Sequence, residues 1–356
     1  MAVRKPPSRN ERVSVCLGFP AYHGPQHLQR LRAVDPRIEP VPLPVDPGGG
    51  WVAVPPADPH EEPPSWAVGV AEERRRALKQ AEALITLHTP QDLMTLAPRL
   101  RWIQGLGAGV EQFARAGVSR ERVVVTNASG VSAGSMAEFV FGRLLQIWKR
   151  FREAEAHQRA HEYVQTYGRT FAGSTIGIVG MGSIGSAVAE RARAFRLHVL
   201  GLKRSHRPGA TSELAEQLFG PEQLLEMLAQ CDIVVVAAPA TNATRHLIDA
   251  TALAAMRPGA VLVNVARGSL VDEPALIQAL ESGHLAAAVL DVFEQEPLPK
   301  ESPLWDLANV YISAHSSVST DRYLDDVFDL FLDNLARYVA GEPLRNRVDM
   351  AALGFA

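Results

Sequence analysis

Arg267, Glu296 and His315 are three residues whose types, taken together, describe one reaction. Hydride addition to a ketone leaves negative charge on the carbonyl oxygen, so a proton donor is needed, and histidine titrates in the right range. A carboxylate beside that histidine fixes its tautomer and stabilises its charged form. A guanidinium, a planar fork of donors, holds a substrate carboxylate and polarises the carbonyl. Singly, each has a plainer reading: Arg267 as a surface ion-pair partner, Glu296 as a solvated loop acid, His315 as a loop histidine with its bonds satisfied.

Their placement joins them. Arg267 follows the apolar run Ala260 to Asn264, Glu296 follows Ala287 to Leu290, and His315 follows Val310 to Ser313. With Ile233 to Ala237, these runs read as short strands, and Leu224 to Ala229, Asp249 to Met256 and Glu273 to Ser282 read as the helices between them. Such alternation predicts a parallel, doubly wound sheet with helices on both faces. Ligands of such sheets bind just outside the strand carboxyl ends, where all three residues stand.

Ser174 to Arg204 opens this half of the chain. A β-branched run, Ile176 to Val179, passes through Gly180-Met181-Gly182-Ser183-Ile184-Gly185 into a helical pattern, and His198 to Leu202 closes a βαβ unit. In that context the spacing G-x-G-x-x-G predicts a dinucleotide site. Gly180 permits the turn, Gly182 lets the backbone approach a pyrophosphate, and Gly185 lets helix and strand pack closely. The helix N-terminus offers free N–H groups to the phosphates. An NAD site carries an acid about 20 residues beyond the glycines for the ribose 2′-hydroxyl. Here Lys203-Arg204-Ser205-His206-Arg207 stand instead, which predicts NADPH over NADH, with Arg204 as the main 2′-phosphate contact and Lys203 and Ser205 assisting.

The first half reads as a second set of strands: Val13 to Phe19, Ile38 to Val45, Ala83 to Leu87, Leu100 to Gln104 and Val123 to Thr126. Helices are expected at Pro25 to Ala33 and Ala71 to Ala81. Pro40 to Pro64 is too rich in proline and glycine for a helix or central strand and reads as a long surface excursion. Leu106-Gly107-Ala108-Gly109 follows a strand, and its glycines expose N–H groups either as a carboxylate cradle or as a plain flexible turn. Val131 to Arg150 is long enough for a helix crossing between domains, and Asp321 to Ala340 is an amphipathic helix expected to return to the first domain.

At 356 residues the chain is long enough for two domains. A net charge of −3 gives no electrostatic case for nucleic acid or an anionic membrane. No apolar run approaches the ~18 residues of a membrane span, and the basic N-terminal stretch, which lacks a signal core, reads as a solvated tail. Cys16 and Cys231 sit in apolar runs and read as buried free thiols, with cytoplasm the expected setting and no metal site expected.

From about Val13 to Val348 the chain resembles the D-isomer-specific 2-hydroxyacid dehydrogenases. The likeness is most specific in GMGSIG, in MRPGAVLVNVARGSLVDEPALIQALESG, in AAAVLDVFEQEPLP and in His315. It implies two doubly wound parallel-sheet domains, Rossmann-like and flavodoxin-like, with a cofactor domain (134–316) inserted in a split substrate domain (1–133 and 317–356). It implies Arg267 as the substrate-binding residue, His315 as general acid/base, and Glu296, directly before the proline, rather than Glu294 as the histidine's partner. Asp291 matches the family aspartate near the nicotinamide, Pro239 joins the cofactor set, and Leu106 to Gly109 matches the carboxylate-binding loop. The expected activity is reduction of a small 2-keto acid by NADP(H), with NAD(H) also possible, in a homodimer. Alternatives are a member acting on a bulkier keto acid or phosphite, and a cofactor-sensing protein resembling transcriptional corepressors.

Overall fold

In the computed structural model, residues 11–44, 65–90, 92–119, 121–205, 211–319 and 321–350 are described. The proline-rich excursion from 45 onward, His206, Arg207 and the N-terminal 1–10 lie outside them. The chain folds as two compact units, one made of 1–131 with 320–356 and the other of 132–319.

The first unit is a five-stranded sheet of β1 (Val13–Leu17), β2 (Ile38–Pro42), β3 (Ala83–Thr86), β4 (Trp102–Gly105) and β5 (Val124–Thr126). The order is β2-β1-β3-β4-β5 and every pairing is parallel, the flavodoxin-like arrangement. Successive residues serve opposite faces: Val13, Val15 and Leu17 enter one apolar cluster and Cys16 the other. The helix Tyr323–Ala340 buries Val327, Phe328, Phe331 and Leu335 in the first of these clusters, so the chain's end does return to this unit. Phe331 stacks on Trp102 with ring centroids 5.1 Å apart. A buried polar chain reinforces the return. Trp102 Nε1 donates to Thr126 Oγ1 (2.8 Å), Thr126 Oγ1 to Gln104 Oε1 (2.8 Å), and Asn334 Nδ2 to the same Gln104 oxygen (3.1 Å). Each buried group thereby keeps a partner, which burial demands.

The second unit is a seven-stranded sheet of β6 (Thr175–Val179), β7 (His198–Leu202), β8 (Gln217–Phe219), β9 (Ile233–Val236), β10 (Ala260–Asn264), β11 (Leu285–Leu290) and β12 (Val310–Ile312). Its order is β12-β11-β10-β9-β6-β7-β8, again wholly parallel. Both faces are covered: Ile233 and Val235 enter one cluster, Val234 and Val236 the other. Sequence order along the sheet reverses between β9 and β6, the switch point where such sheets open a crevice for ligands.

Several local outcomes differ from expectation. The helix anticipated as a crossing over Val131 to Arg150 runs Ala133–Trp148 and lies wholly in the second unit, because Met136, Val140, Phe141, Leu144 and Trp148 are buried in that unit's core. A further helix, Phe151–Ala160, follows with none of its residues buried. Apart from Phe151 and three alanines its residues are polar, so it offers no core-facing apolar run for the sequence to show. The short edge strand β8 was likewise unanticipated. Both thiols are buried and free, and desolvation pushes each up to about 12.

Candidate active site

Because all seven strands of the second unit run the same way, their carboxyl ends share one edge. The glycine turn follows β6, Lys203 to Ser205 follow β7, Pro239 follows β9, Arg267 follows β10, Asp291 and Glu296 follow β11, and His315 follows β12.

The three fingerprint glycines have three separate reasons. Gly180 has a left-handed φ of +106°, and a Cβ there would sit 2.6 Å from the backbone nitrogen of Ala238. At Gly185 a Cβ would lie 2.1 Å from the carbonyl oxygen of Gly180, so only glycine lets the helix meet the strand. At Gly182 an added Cβ would meet nothing within 4 Å. Open space at that position, immediately before the helix Ser183–Ala194, fits a pyrophosphate taken on the helix N-terminus. Lys203, Arg204 and Ser205 are exposed just past β7, and Pro239 is exposed past β9.

His315 and Glu296 come together from different strands: His315 Nδ1 is 2.8 Å from Glu296 Oε2. Glu296 Oε1 also accepts the N–H of Phe293 (3.1 Å) in its own turn. Glu294, its rival, points elsewhere and bonds His246 Nε2 at 2.5 Å. An ionised carboxylate only accepts, so the Glu296 contact places the proton on Nδ1 of a neutral His315 and leaves Nε2 for chemistry. The histidine is half exposed, and its backbone has a left-handed φ of 50°, uncommon for a residue with a side chain.

That backbone is held by Asp291, which is 1% exposed. Its Oδ1 accepts from Ser313 Oγ (2.7 Å), Ser316 N (2.9 Å) and Ser317 N (3.0 Å), and its Oδ2 from Ser317 Oγ (2.6 Å). Its carbonyl oxygen accepts the N–H of His315 at 2.8 Å. The structure therefore builds Asp291 into the turn that presents His315. The three serines were not anticipated, since each is unremarkable in type and acts only through this carboxylate.

Arg267 is partly buried, and its Nη1 donates to the carbonyl of Ala266 (2.7 Å). Asn264, 1% exposed, shapes its turn by donating to the Arg267 carbonyl (3.0 Å) and accepting from Ala266 N (3.1 Å). Nearby, burial, with the Glu294 and Glu296 carboxylates, pushes Glu273 above the usual carboxylate range.

In the first unit, the 106–109 loop follows β4. Tyr323 Oη donates to the Leu106 carbonyl, Ala128 N to the Gly107 carbonyl (2.9 Å) and Asn127 Nδ2 to the Ala108 carbonyl (2.7 Å). The carbonyls are thus tied back, while the N–H groups of Gly107, Ala108 and Gly109 take no acceptor among the described residues. Oriented backbone donors of this kind suit an anion such as a carboxylate.

The chain is also similar to proteins of known family. The sequence profile described as "D-isomer specific 2-hydroxyacid dehydrogenase, NAD binding domain" matches residues 141–317. Glyoxylate reductase of Thermococcus gammatolerans is 35% identical over 277 residues, covering 74% of this chain and 82% of that protein. Glyoxylate/hydroxypyruvate reductase B of Yersinia pestis is 36% identical over 286 residues, covering 78% and 86%. Among solved structures, the NADPH-dependent glyoxylate/hydroxypyruvate reductase of Sinorhizobium meliloti, in complex with NADP and sulfate, superposes with a TM-score of 0.76 at 27% identity, covering 96% of this chain and 99% of that one.

The glycine geometry separates binding from folding. Gly182→Ala is expected to unfold at the wild-type temperature yet bind dinucleotide about tenfold more weakly, because the methyl enters the space left for the pyrophosphate. Gly185→Ala should lower the melting temperature first. Thermal unfolding alongside fluorescence titration with NADPH distinguishes the two, and equal affinity in Gly182→Ala and wild type would remove the pyrophosphate from that position.

Proposed function

The chain belongs to the NAD(P)-dependent D-isomer-specific 2-hydroxyacid dehydrogenases, and we propose that it transfers hydride from NADPH to a small 2-keto acid, giving achiral glycolate from glyoxylate and the D-2-hydroxy acid from hydroxypyruvate. The observation that carries this is the 2.8 Å His315–Glu296 pair on the strand edge that also bears the glycine turn.

When bound, the reduced nicotinamide supplies hydride to the carbonyl carbon. His315 in its protonated form donates from Nε2 to the carbonyl oxygen as charge grows there, and Glu296 at Nδ1 holds the ring in the orientation this requires. Arg267 binds the keto acid through paired donors and polarises its carbonyl. The 106–109 loop takes the substrate carboxylate on its N–H groups. Asp291 acts at the base of the His315 turn, and Pro239 borders the cofactor beyond β9. The names of the relatives, which act on glyoxylate and hydroxypyruvate, support a small substrate. A cytoplasmic setting belongs to the same reading, supported by two buried thiols left unpaired.

His315→Ala should lower kcat for glyoxylate reduction by about 10² or more while leaving NADPH affinity near normal. A variant keeping most of its kcat would take His315 out of the mechanism.

Cofactor choice rests on Lys203, Arg204 and Ser205, two cations and a hydroxyl where an NAD site would carry an acid, and is supported by the NADPH dependence of the Sinorhizobium relative. Charge-assisted bonds to a phosphate contribute about 1.5–3 kcal/mol, so Arg204→Ala should cost about 10- to 100-fold in NADPH preference with little change for NADH. The ratio of kcat/KM for the two cofactors measures this, and a wild-type preference for NADH would contradict it.

A homodimer completes the reading. The segment from Phe151 to Thr170 exposes Tyr163 fully and Tyr167 by 76%, more aromatic surface than a stretch facing only solvent needs. Light scattering should give twice the 38.6 kDa chain mass for wild type and less for a Tyr163→Ser, Tyr167→Ser variant. A monomeric wild type would refute it.

A further inference from the structure

The turn after β11 carries two histidine–glutamate pairs, and the mechanism above uses only one. Glu294 Oε1 bonds His246 Nε2, and the Glu294 N–H donates to Glu273 Oε1. His246 belongs to the segment after β9, Glu273 opens the helix Glu273–Glu281 after β10, and Glu294 follows β11. Three strand ends thus meet on two consecutive residues, Phe293 and Glu294. Gly268 makes the meeting close: a Cβ there would lie 1.8 Å from the Phe293 carbonyl carbon, 2.0 Å from its oxygen and 2.3 Å from Glu294 N. These are backbone atoms, so any side chain at 268 must displace the turn itself.

His246 is itself fixed. Its N–H donates to the Ser269 carbonyl (2.8 Å), and its φ of 48° lies in the left-handed region, which a residue with a side chain occupies only where its surroundings impose it. The side chains of His246 and Glu294 are 33% and 30% exposed, so the pair is not a freely solvated one. What it holds matters because Phe293 N donates to Glu296 Oε1, and Glu296 Oε2 meets His315.

We propose that Gly268, Glu273 and the His246–Glu294 pair are positioning residues that clamp the Phe293–Glu296 turn, so that Glu296 reaches His315. The proposal rests on the reading of Glu296 and His315 as the acid–base pair. A small displacement of a catalytic partner costs rate rather than binding, by up to about 10². His246 acts on the reaction through Glu296, without touching substrate or cofactor.

Steady-state kinetics with NADPH and glyoxylate test this on wild type, His246→Ala, His246→Gln, Glu296→Gln and the His246→Ala, Glu296→Gln double variant. His246→Ala should lower kcat about tenfold with both KM values within about twofold, and His246→Gln, whose amide still donates to Glu294, should recover most of the loss. In the Glu296→Gln background, His246→Ala should cost little more, because residues acting through one partner are not additive. Unchanged kcat in His246→Ala, or the same fold-loss in both backgrounds, overturns the clamp. A His315→Ala variant with wild-type kcat overturns instead the acid–base reading on which it rests.

Discussion

Burying a carboxylate is costly unless its oxygens are bonded, and Asp291, 1% exposed, meets that cost with four donors drawn from a single short stretch, Ser313 to Ser317. The charge cannot be satisfied unless the stretch wraps around it. Wrapping it fixes His315 between Ser313 and Ser316, with its N–H on the Asp291 carbonyl and its backbone in a conformation it would not adopt unaided. Five residues farther along its own chain, Asp291 leads to Glu296, whose carboxylate closes on the same histidine. One buried carboxylate thus organises both sides of the His315–Glu296 contact.

The sheet beneath makes this possible. Parallel strands with both faces covered put every carboxyl end on one edge, and alternation of side chains between two apolar clusters leaves little freedom of register, since a one-residue slip exchanges the faces. The residues of the edge then differ in what holds them. Arg267 depends on Asn264, Glu296 on its own turn and on Gly268, and the glycine turn on contacts of Gly180 with Ala238 and of Gly185 with Gly180. In the first unit the 106–109 loop shows the same economy, with its carbonyls tied to Asn127, Ala128 and Tyr323 while its Gly107, Ala108 and Gly109 N–H groups take no acceptor among the described residues.

Much of this was legible from local pattern. The parallel doubly wound class followed from strands alternating with helices, and the fingerprint from three glycines, of which Gly180 shows the left-handed turn and Gly185 the close helix–strand approach. The proximity of Glu296 to His315 came from resemblance, since spacing alone did not separate Glu296 from Glu294; the structure distinguishes them by giving each its own histidine. His246 carried no signal, because its partner lies far along the chain in another loop. Ser313, Ser316 and Ser317 gave none either, because a serine's role depends on which buried acceptor it meets. Phe151–Ala160 escaped notice for the opposite reason: it buries no residue, and a strongly polar composition hides it from a search for apolar runs.

In the proposed reaction this edge reduces a 2-keto acid with facial selectivity, the carbon taking hydride while His315 supplies the proton. Incubation of the purified protein with hydroxypyruvate and NADPH deuterated at both C4 positions, followed by chiral mass analysis of the product, tests that directly. Deuterium on the carbinol carbon of D-glycerate is the predicted result. An L product, or consumption of hydroxypyruvate without transfer of the label, would contradict it.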